Sequence, residues 1–173
     1  MKRLITILTI LVLIPGCNEP EATENLTADT PGFVLSDGNV EVKIGEDGAL
    51  LSLVNKETGH NYASGEGLWR MFYNTHQEKE MQIDGTENTP AVSQEGDVIT
   101  IAYKDLVHRG KALRMDLTLT VKVEDGAIRF GSVVSNNEPG TIIRELQYPL
   151  VGNMRLPEGH KLLTTHTGGQ VHD

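Results

Sequence analysis

The chain is short of cysteine and of positive charge, and each shortage excludes a class of protein. Its 173 residues include a single cysteine, Cys17, so no disulfide can form within the chain and the fold depends on a hydrophobic core. Lys and Arg number 15 against 24 Asp and Glu, which gives a net charge of −9. No nucleic-acid partner is therefore expected, because affinity for phosphate backbones depends on clustered cations.

The sequence also lacks the short motifs that mark many enzymes. It contains no glycine-rich phosphate loop, no His-Glu-x-x-His, no cysteine pair and no Gly-x-Ser-x-Gly. His160, His166 and His172 are interpreted as loop residues rather than metal ligands, because nothing in their Gly-rich stretch fixes a geometry. We therefore expect no metal, no cofactor and no catalytic residue in this chain.

The N-terminus has the features of a secretory signal. Lys2 and Arg3 precede an apolar run over residues 4–14, which is too short to span a bilayer, since a spanning helix needs about 20 residues. The run ends in Pro15-Gly16-Cys17, which resembles the end of the bacterial lipobox, where a small residue precedes an obligatory cysteine. The resemblance implies that residues 1–16 are a cleaved signal peptide and that Cys17 is lipidated. The protein would then be anchored to the bacterial outer membrane, facing the surface or the periplasm.

The residues that follow Cys17 are interpreted as a tether between the lipid and a domain. Residues 17–31 are rich in Glu, Thr, Ala and Asn, and contain too little apolar surface to offset the entropy of ordering them. The folded domain is therefore expected over residues 32–173. The alternative for the N-terminus is an ordinary signal peptide followed by a free cysteine.

The rest of the chain has the pattern of β-strands joined by tight turns. Apolar residues alternate with polar ones over residues 113–123, a period of two that excludes an amphipathic helix. Asp-Gly pairs, a strong hairpin signal, occur at Asp37, Asp47, Asp84 and Asp125. Further strands are expected at residues 40–44, 49–54, 68–73, 98–103, 127–135 and 142–150. The sequence thus predicts an all-β, mostly antiparallel sandwich.

Several of these segments together resemble a known family of β-sandwich domains. The hairpin over residues 40–59, with Asn55-Lys56-Glu57-Thr58-Gly59 at its end, is followed by the aromatic strand at residues 68–73. This order is similar to that of the galactose-mutarotase-like domains that precede the catalytic barrel in many bacterial glycoside hydrolases, including lipoproteins of the Bacteroides type. The resemblance covers residues 33–170 and implies an incomplete supersandwich.

The resemblance implies a non-catalytic function for this chain within a larger enzyme. Residues 159–173 show no closing strand, so we expect the chain to be truncated, with a C-terminal catalytic barrel carrying the paired carboxylates of glycoside hydrolysis. The domain would support that barrel and contact oligosaccharide or polysaccharide. The alternatives are a separate surface glycan-binding lipoprotein and an aldose epimerase of the mutarotase type.

Four residues are candidates for contact with a glycan. Trp69 and Tyr73 could stack on sugar rings, Arg70 could bind hydroxyl groups through its forked guanidinium, and Glu145 lies in a polar row on a predicted strand. Strand alternation, however, places Trp69 and Tyr73 on one face and Arg70 on the other, so core packing of the two rings is the competing interpretation. His76, which precedes two glutamates, is interpreted as a solvated loop residue.

Overall fold

The computed structural model describes residues 31–63, 67–151, 162–164 and 170–172. The predicted signal peptide, Cys17 and the tether up to residue 30 lie outside the described residues, as do His160 and His166. The described part of the chain is built from β-strands and one short 3-10 helix, Gly85–Glu87. The strands are β1 (Gly32–Ser36), β2 (Val40–Gly45), β3 (Leu50–Asn55), β4 (His60–Asn61), β5 (Arg70–Asn74), β6 (Met81–Asp84), β7 (Ala91–Glu95), β8 (Val98–Tyr103), β9 (Val107–His108), β10 (Lys111–Ala112), β11 (Met115–Glu124), β12 (Ala127–Asn136), β13 (Ile142–Gln147), β14 (Leu162–Thr164) and β15 (Gln170–His172).

The strands form antiparallel sheets, which confirms the predicted all-β class. The larger sheets have the orders β1-β2-β3-β4, β12-β11-β8-β7 and β13-β5-β6, and β9-β10 and β14-β15 form two-stranded sheets. Eight strands lie where the sequence analysis predicts none: β1, β4, β6, β7, β9, β10, β14 and β15. His172, interpreted as a loop residue, belongs to β15, which pairs with β14. Within the described part of the chain, no helix has the length and apolar composition needed to cross a bilayer.

The long hairpin of β11 and β12 is the central element of the fold. Its register runs from Met115 opposite Asn136 to Glu124 opposite Ala127, as alternation predicts. The turn between the strands is Asp125-Gly126, and both residues have positive φ, 54° and 72°. Turns of this kind match the right-handed twist of the flanking strands, which explains why Asp-Gly ends the hairpin cleanly.

One hydrophobic core is shared by the three larger sheets. Every second residue of β11 is buried, from Met115 to Val123, as predicted. Side chains from β2, β3, β5, β6 and β8 complete the same cluster, so the sheets enclose a common interior in the manner of a sandwich. The residues of largest volume in this core are Trp69, Tyr73, Tyr103, Ile44, Leu50, Leu68, Met71, Ile83, Ile99, Ile101, Leu106 and Met115.

Polar contacts tie two of the sheets together at one end of the long hairpin. The carboxylate of Asp37, in the β1-β2 turn, accepts a hydrogen bond of 2.7 Å from the backbone N–H of Gly126. The side chain of Gln94 on β7 donates to the carbonyl of Val34 on β1 at 3.1 Å. We call the region of the Asp37 and Asp125-Gly126 turns the closed end.

The Asp84-Gly85 pair does not form the expected hairpin turn. β6 ends at Asp84 and the chain enters the 3-10 helix at Gly85. Gly85 is needed there for a close approach, because a Cβ at this position would lie 2.8 Å from Nε1 of Trp69. Its backbone N–H also donates to the carbonyl of Trp69 at 3.1 Å. In the sequence, a glycine that leaves room for an indole ring cannot be distinguished from a glycine that forms a turn.

The strand predicted over residues 142–150 ends at Gln147 and contains a bulge. Ile143 pairs with Tyr73 whereas Glu145 pairs with Phe72, so Arg144 is an extra residue in the ladder. Alternation would put Ile143 and Glu145 on the same face, and that prediction is wrong. The bulge turns Ile143 toward the core, where it packs against the buried cluster, and leaves Glu145 exposed.

Candidate functional site

The four residues proposed as sugar contacts are not brought together. Trp69 is 0% exposed and Tyr73 is 1% exposed, so both rings belong to the core, and the ring faces are unavailable for stacking on a sugar. Trp69 packs edge-on against Tyr103, with ring centroids 5.1 Å apart. Arg70 points to the other side of the sheet, where its Nε lies 2.8 Å from Oδ1 of Asp84.

Arg70 and Glu145 do share a surface, the outer face of the sheet β13-β5-β6. Glu145 pairs with Phe72, and Gln147 pairs with Arg70, so the four side chains project on the same side. Gln147 donates a hydrogen bond of 2.9 Å to Glu145. A cavity of about 690 Å³ lies on this face against Phe72, Glu145 and Arg144, and we call it the outer cavity.

A second concave region lies where three loops meet at the other end of the long hairpin. The β5-β6 loop, the β9-β10 turn and the β12-β13 loop enclose a cavity of about 410 Å³. Tyr73 of β5 and Leu113 lie on its inner side, and His76 and Pro139 lie on loops around it. We call this cavity the loop pocket.

The charged groups of the loop pocket are balanced and lie in opposite pairs. Nη1 of Arg109 is 3.4 Å from a carboxylate oxygen of Glu78, and Nζ of Lys111 is 3.7 Å from one of Glu138. Both cations are largely exposed, so these long ion pairs hold the side chains only weakly. With His neutral the pocket has no net charge, and it therefore attracts neither anions nor cations by its overall field.

Glu138 is fixed as an ionised hydrogen-bond acceptor. The backbone N–H of Arg114 donates to its Oε2 at 2.9 Å. This bond, with the nearby charges of Lys111 and Arg114, holds the pKa of Glu138 below its ordinary value. At neutral pH Glu138 therefore accepts hydrogen bonds and is a poor proton donor.

His108 lines the loop pocket, and both of its ring nitrogens are buried. Neither Nδ1 nor Nε2 has a hydrogen-bond partner among the described residues. The imidazole packs edge-on against Tyr73, with ring centroids 5.7 Å apart and the planes at 89°. Leaving a buried polar atom unpaired costs about 1–3 kcal/mol, and an occupant of the pocket that reaches either nitrogen would recover that cost. Neutral imidazole offers that occupant one donor and one acceptor.

Tyr73 keeps its hydroxyl group protonated beside His108. Burial raises the pKa of Tyr73 above its ordinary value, and the charges of Glu78 and Glu138 raise it further against the opposing effect of Arg109. The phenol can therefore both donate and accept a hydrogen bond at physiological pH. Of the predicted contacts, Tyr73 thus reaches the loop pocket, at its inner wall rather than as a stacking platform.

Arg109 is held in an unusual backbone conformation at the edge of the pocket. It has a φ of 51° and is followed by Gly110 with a φ of 76°. The left-handed region costs a residue with a side chain about 1–2 kcal/mol, and such positions cluster at functional sites. Asn or Gly would form this two-residue turn with less strain.

Sequence reasoning missed most of the loop pocket. The interpretation of His76 as an exposed loop residue is confirmed, but the same loop forms one wall of the pocket. The sequence alone assigns no role to His108, Arg109 or Glu138. The available signal was the pair Arg109-Gly110 between short apolar stretches, which is compatible with a two-residue hairpin turn.

Neither metal geometry nor similarity to known proteins identifies the site further. Among the residues the structure describes, no group of three or more His, Cys, Asp or Glu side chains is placed to hold a metal ion. Comparison of the chain with protein-family models, curated proteins and solved structures found no match.

Proposed function

We propose that this chain is the glycan-binding β-sandwich portion of a lipid-anchored glycoside hydrolase and does not itself catalyse hydrolysis. The observation that carries the proposal is the loop pocket, a cavity lined by balanced charges and by His108, whose two ring nitrogens are buried and have no partner among the described residues. The galactose-mutarotase-like resemblance of the sequence supports the same function.

Sugar hydroxyl groups match the pocket because each of them both donates and accepts hydrogen bonds. The acceptors Glu78 and Glu138 and the donors Arg109 and Lys111 line the cavity around His108. A neutral polyol can form hydrogen bonds with both the donors and the acceptors, whereas an ion pairs only with the groups of opposite charge. Pro139 and Leu113 add apolar surface for the C–H groups of a sugar ring.

The protonation states favour binding over acid catalysis. A glycosidase needs a carboxylic acid that is protonated at working pH, usually through a raised pKa. The pKa of Glu138 is lowered, and its oxygen is occupied by the backbone N–H of Arg114. The proposal therefore places the catalytic carboxylates in a separate domain.

Calorimetric titration of the chain with oligosaccharides tests the proposal. The chain is kept in a detergent with a polyoxyethylene headgroup, because sugar detergents would compete. The probes are ladders derived from xylan, mannan, cellulose and α-glucan, from the monosaccharide to the hexasaccharide. We expect at least one ladder to bind, and His108→Phe to weaken that binding about tenfold, since it removes two hydrogen-bonding atoms and keeps a ring.

His60→Phe is the matched control for this titration. His60 also has a buried nitrogen, Nε2, without a partner among the described residues. Its ring also packs edge-on against a tyrosine, Tyr62, with ring centroids 4.4 Å apart. His60 lies on β4, however, and does not line the loop pocket. Binding of no probe, or equal losses from both variants, would overturn the proposed function.

Membrane attachment through Cys17 is a separate part of the proposal and has its own test. Bacteria expressing the chain are fed radiolabelled palmitate, and we expect label in the wild type and none in Cys17→Ser. Asn18→Ser is the matched control and should retain the label. Equal labelling of the wild type and Cys17→Ser would contradict lipidation at Cys17.

A further inference from the structure

We infer that the binding site continues from the loop pocket over the β5-β6 loop into the outer cavity, so that its ligand is an extended neutral oligosaccharide. This inference rests on the proposed function and adds the length of the ligand to it. The two cavities lie on opposite sides of a single loop. An oligosaccharide that follows the loop would contact both cavities.

Side chains alternate along β5, and the two cavities lie on its opposite faces. Tyr73 faces the loop pocket, whereas its neighbours Phe72 and Asn74 face the outer cavity. The loop that follows continues this division: its first part, from Thr75 to Glu78, lines the loop pocket, and its last part, Lys79 and Glu80, lines the outer cavity. The loop is therefore the boundary between the two cavities.

The β5-β6 loop is held in one conformation by its own hydrogen bonds. The hydroxyl oxygen of Thr75 accepts from the backbone N–H groups of Gln77 at 3.2 Å and Glu78 at 3.0 Å. The side-chain oxygen of Asn74 accepts from the N–H of Glu80 at 2.8 Å, and Glu80 has a φ of 56°. A preformed loop loses little conformational entropy when a ligand lies across it.

The start of β13 forms a second link between the cavities. Thr141 lines the loop pocket and Arg144 lines the outer cavity. Ile142 lies between them in the chain, pairs with Asn74 and is 66% exposed. An exposed aliphatic side chain at this position offers apolar contact to the C–H face of a sugar unit that bridges the cavities.

The outer cavity repeats the chemistry of the loop pocket. Lys79 and Arg144 supply two cations, Glu80 and Glu145 supply two carboxylates, and Phe72 supplies a partly exposed ring. The balanced charges again favour a neutral ligand rich in hydroxyl groups, and the ring gives it an apolar surface. With volumes of about 410 and 690 Å³, the two cavities together exceed what one sugar unit requires.

The dependence of affinity on oligosaccharide length tests this inference. The ladder that binds in the calorimetric titration is measured again with Ile142→Ser and Glu145→Gln. We expect wild-type affinity to rise with length, and both variants to weaken binding of the longest oligosaccharide about fivefold while leaving the shortest ligand that binds unchanged.

Val133→Ser is the matched control for Ile142→Ser. Val133 is 69% exposed, also aliphatic, and lies on β12 outside both cavities. It should leave binding of every ligand unchanged. An affinity that depends on His108 but not on length would overturn the extended site and leave the proposed function standing. Absence of any binding, or binding unaffected by His108→Phe, would overturn both.

Discussion

The two ends of the β11-β12 hairpin are built on opposite principles. At the closed end a two-residue turn, Asp125-Gly126, is tied to the β1-β2 turn by the carboxylate of Asp37. At the other end, which we call the open end, lies the loop pocket, where the carboxylate of Glu78 is 3.4 Å from an exposed cation, Arg109. The carboxylate of Asp37 is thus bonded within the fold, whereas the side chains of Arg109 and Glu78 are largely exposed and can contact a ligand.

The contrast is clearest in the hydrogen bonds of single side chains. Asp37 accepts from the backbone N–H groups of Asn39 at 3.0 Å, Val40 at 3.4 Å and Gly126 at 2.7 Å. His108, at the open end, has two buried nitrogens and no partner for either among the described residues. Paired groups stabilise, whereas unpaired buried groups cost free energy that a ligand can recover.

Removal of the Trp69 side chain should have the largest effect, because the core to which it belongs supports both ends. We expect Trp69→Ala to lower the free energy of unfolding in urea by about 3–5 kcal/mol, since the ring is fully buried. Phe72→Ala, in the strand β5 that follows Trp69 but with a partly exposed ring, should lower the free energy of unfolding clearly less. Equal decreases in the free energy of unfolding for the two variants would contradict the assignment of Trp69 to the core and of Phe72 to the outer face.

Two glycines with the same backbone conformation allow the ends to be compared directly. Gly126 has a φ of 72° and Gly110 a φ of 76°, and neither would clash if a Cβ were added. Alanine in this conformation costs about 1–2 kcal/mol. We expect Gly126→Ala to lower global stability by this amount. Gly110→Ala should lower global stability by less, because the two-residue strands β9 and β10 can separate without unfolding the core.

Hydrogen exchange of the two glycine variants separates these outcomes. Gly126→Ala should reduce protection throughout β11, whereas Gly110→Ala should affect only the β9-β10 hairpin. If Gly110→Ala reduced protection in β11 equally, the open end would be as important for folding as the closed one.

Arg109→Gly should change stability and binding in opposite directions. Glycine relieves the left-handed strain at this position, so the free energy of unfolding should rise by about 1 kcal/mol. The same variant removes the guanidinium from the loop pocket and should weaken oligosaccharide binding. Urea denaturation and calorimetry measure the two effects. A variant that is both less stable and fully able to bind would contradict the interpretation of Arg109.

The smallest expected effect is the acid sensitivity of the closed end. Backbone hydrogen bonds, first that from Asn39, hold the pKa of Asp37 below its ordinary value. Because the folded-state pKa is the lower one, the carboxylate stabilises the fold above about pH 4 and this contribution is lost as the pH falls through the folded-state pKa. Asp37→Asn should lower the thermal midpoint at pH 7 and flatten its decline in acid. A decline parallel to that of the wild type would exclude this contribution.

The buried face of β11 could be predicted from the sequence because alternation is a local property, and the same holds for β2, β3, β5, β8, β12 and β13. The remaining strands are shorter or less regular and were not predicted. The bulge at Arg144 could not, since one extra residue in a ladder leaves no local mark and yet reverses which side chains face the core. The loop pocket could not be predicted either. His76, His108 and Glu138 lie on separate loops, and only the pairing of the strands brings them to one cavity.

The central claim is that His108 bonds directly to a bound sugar, and nitrogen NMR of the histidine side chains tests it most directly. The chain, labelled at its histidine ring nitrogens, is titrated with the oligosaccharide that binds in calorimetry. We predict that both ring signals of His108 shift and saturate with the calorimetric affinity while those of His60 stay unchanged. Saturable binding of the oligosaccharide that leaves the His108 signals in place would contradict the account.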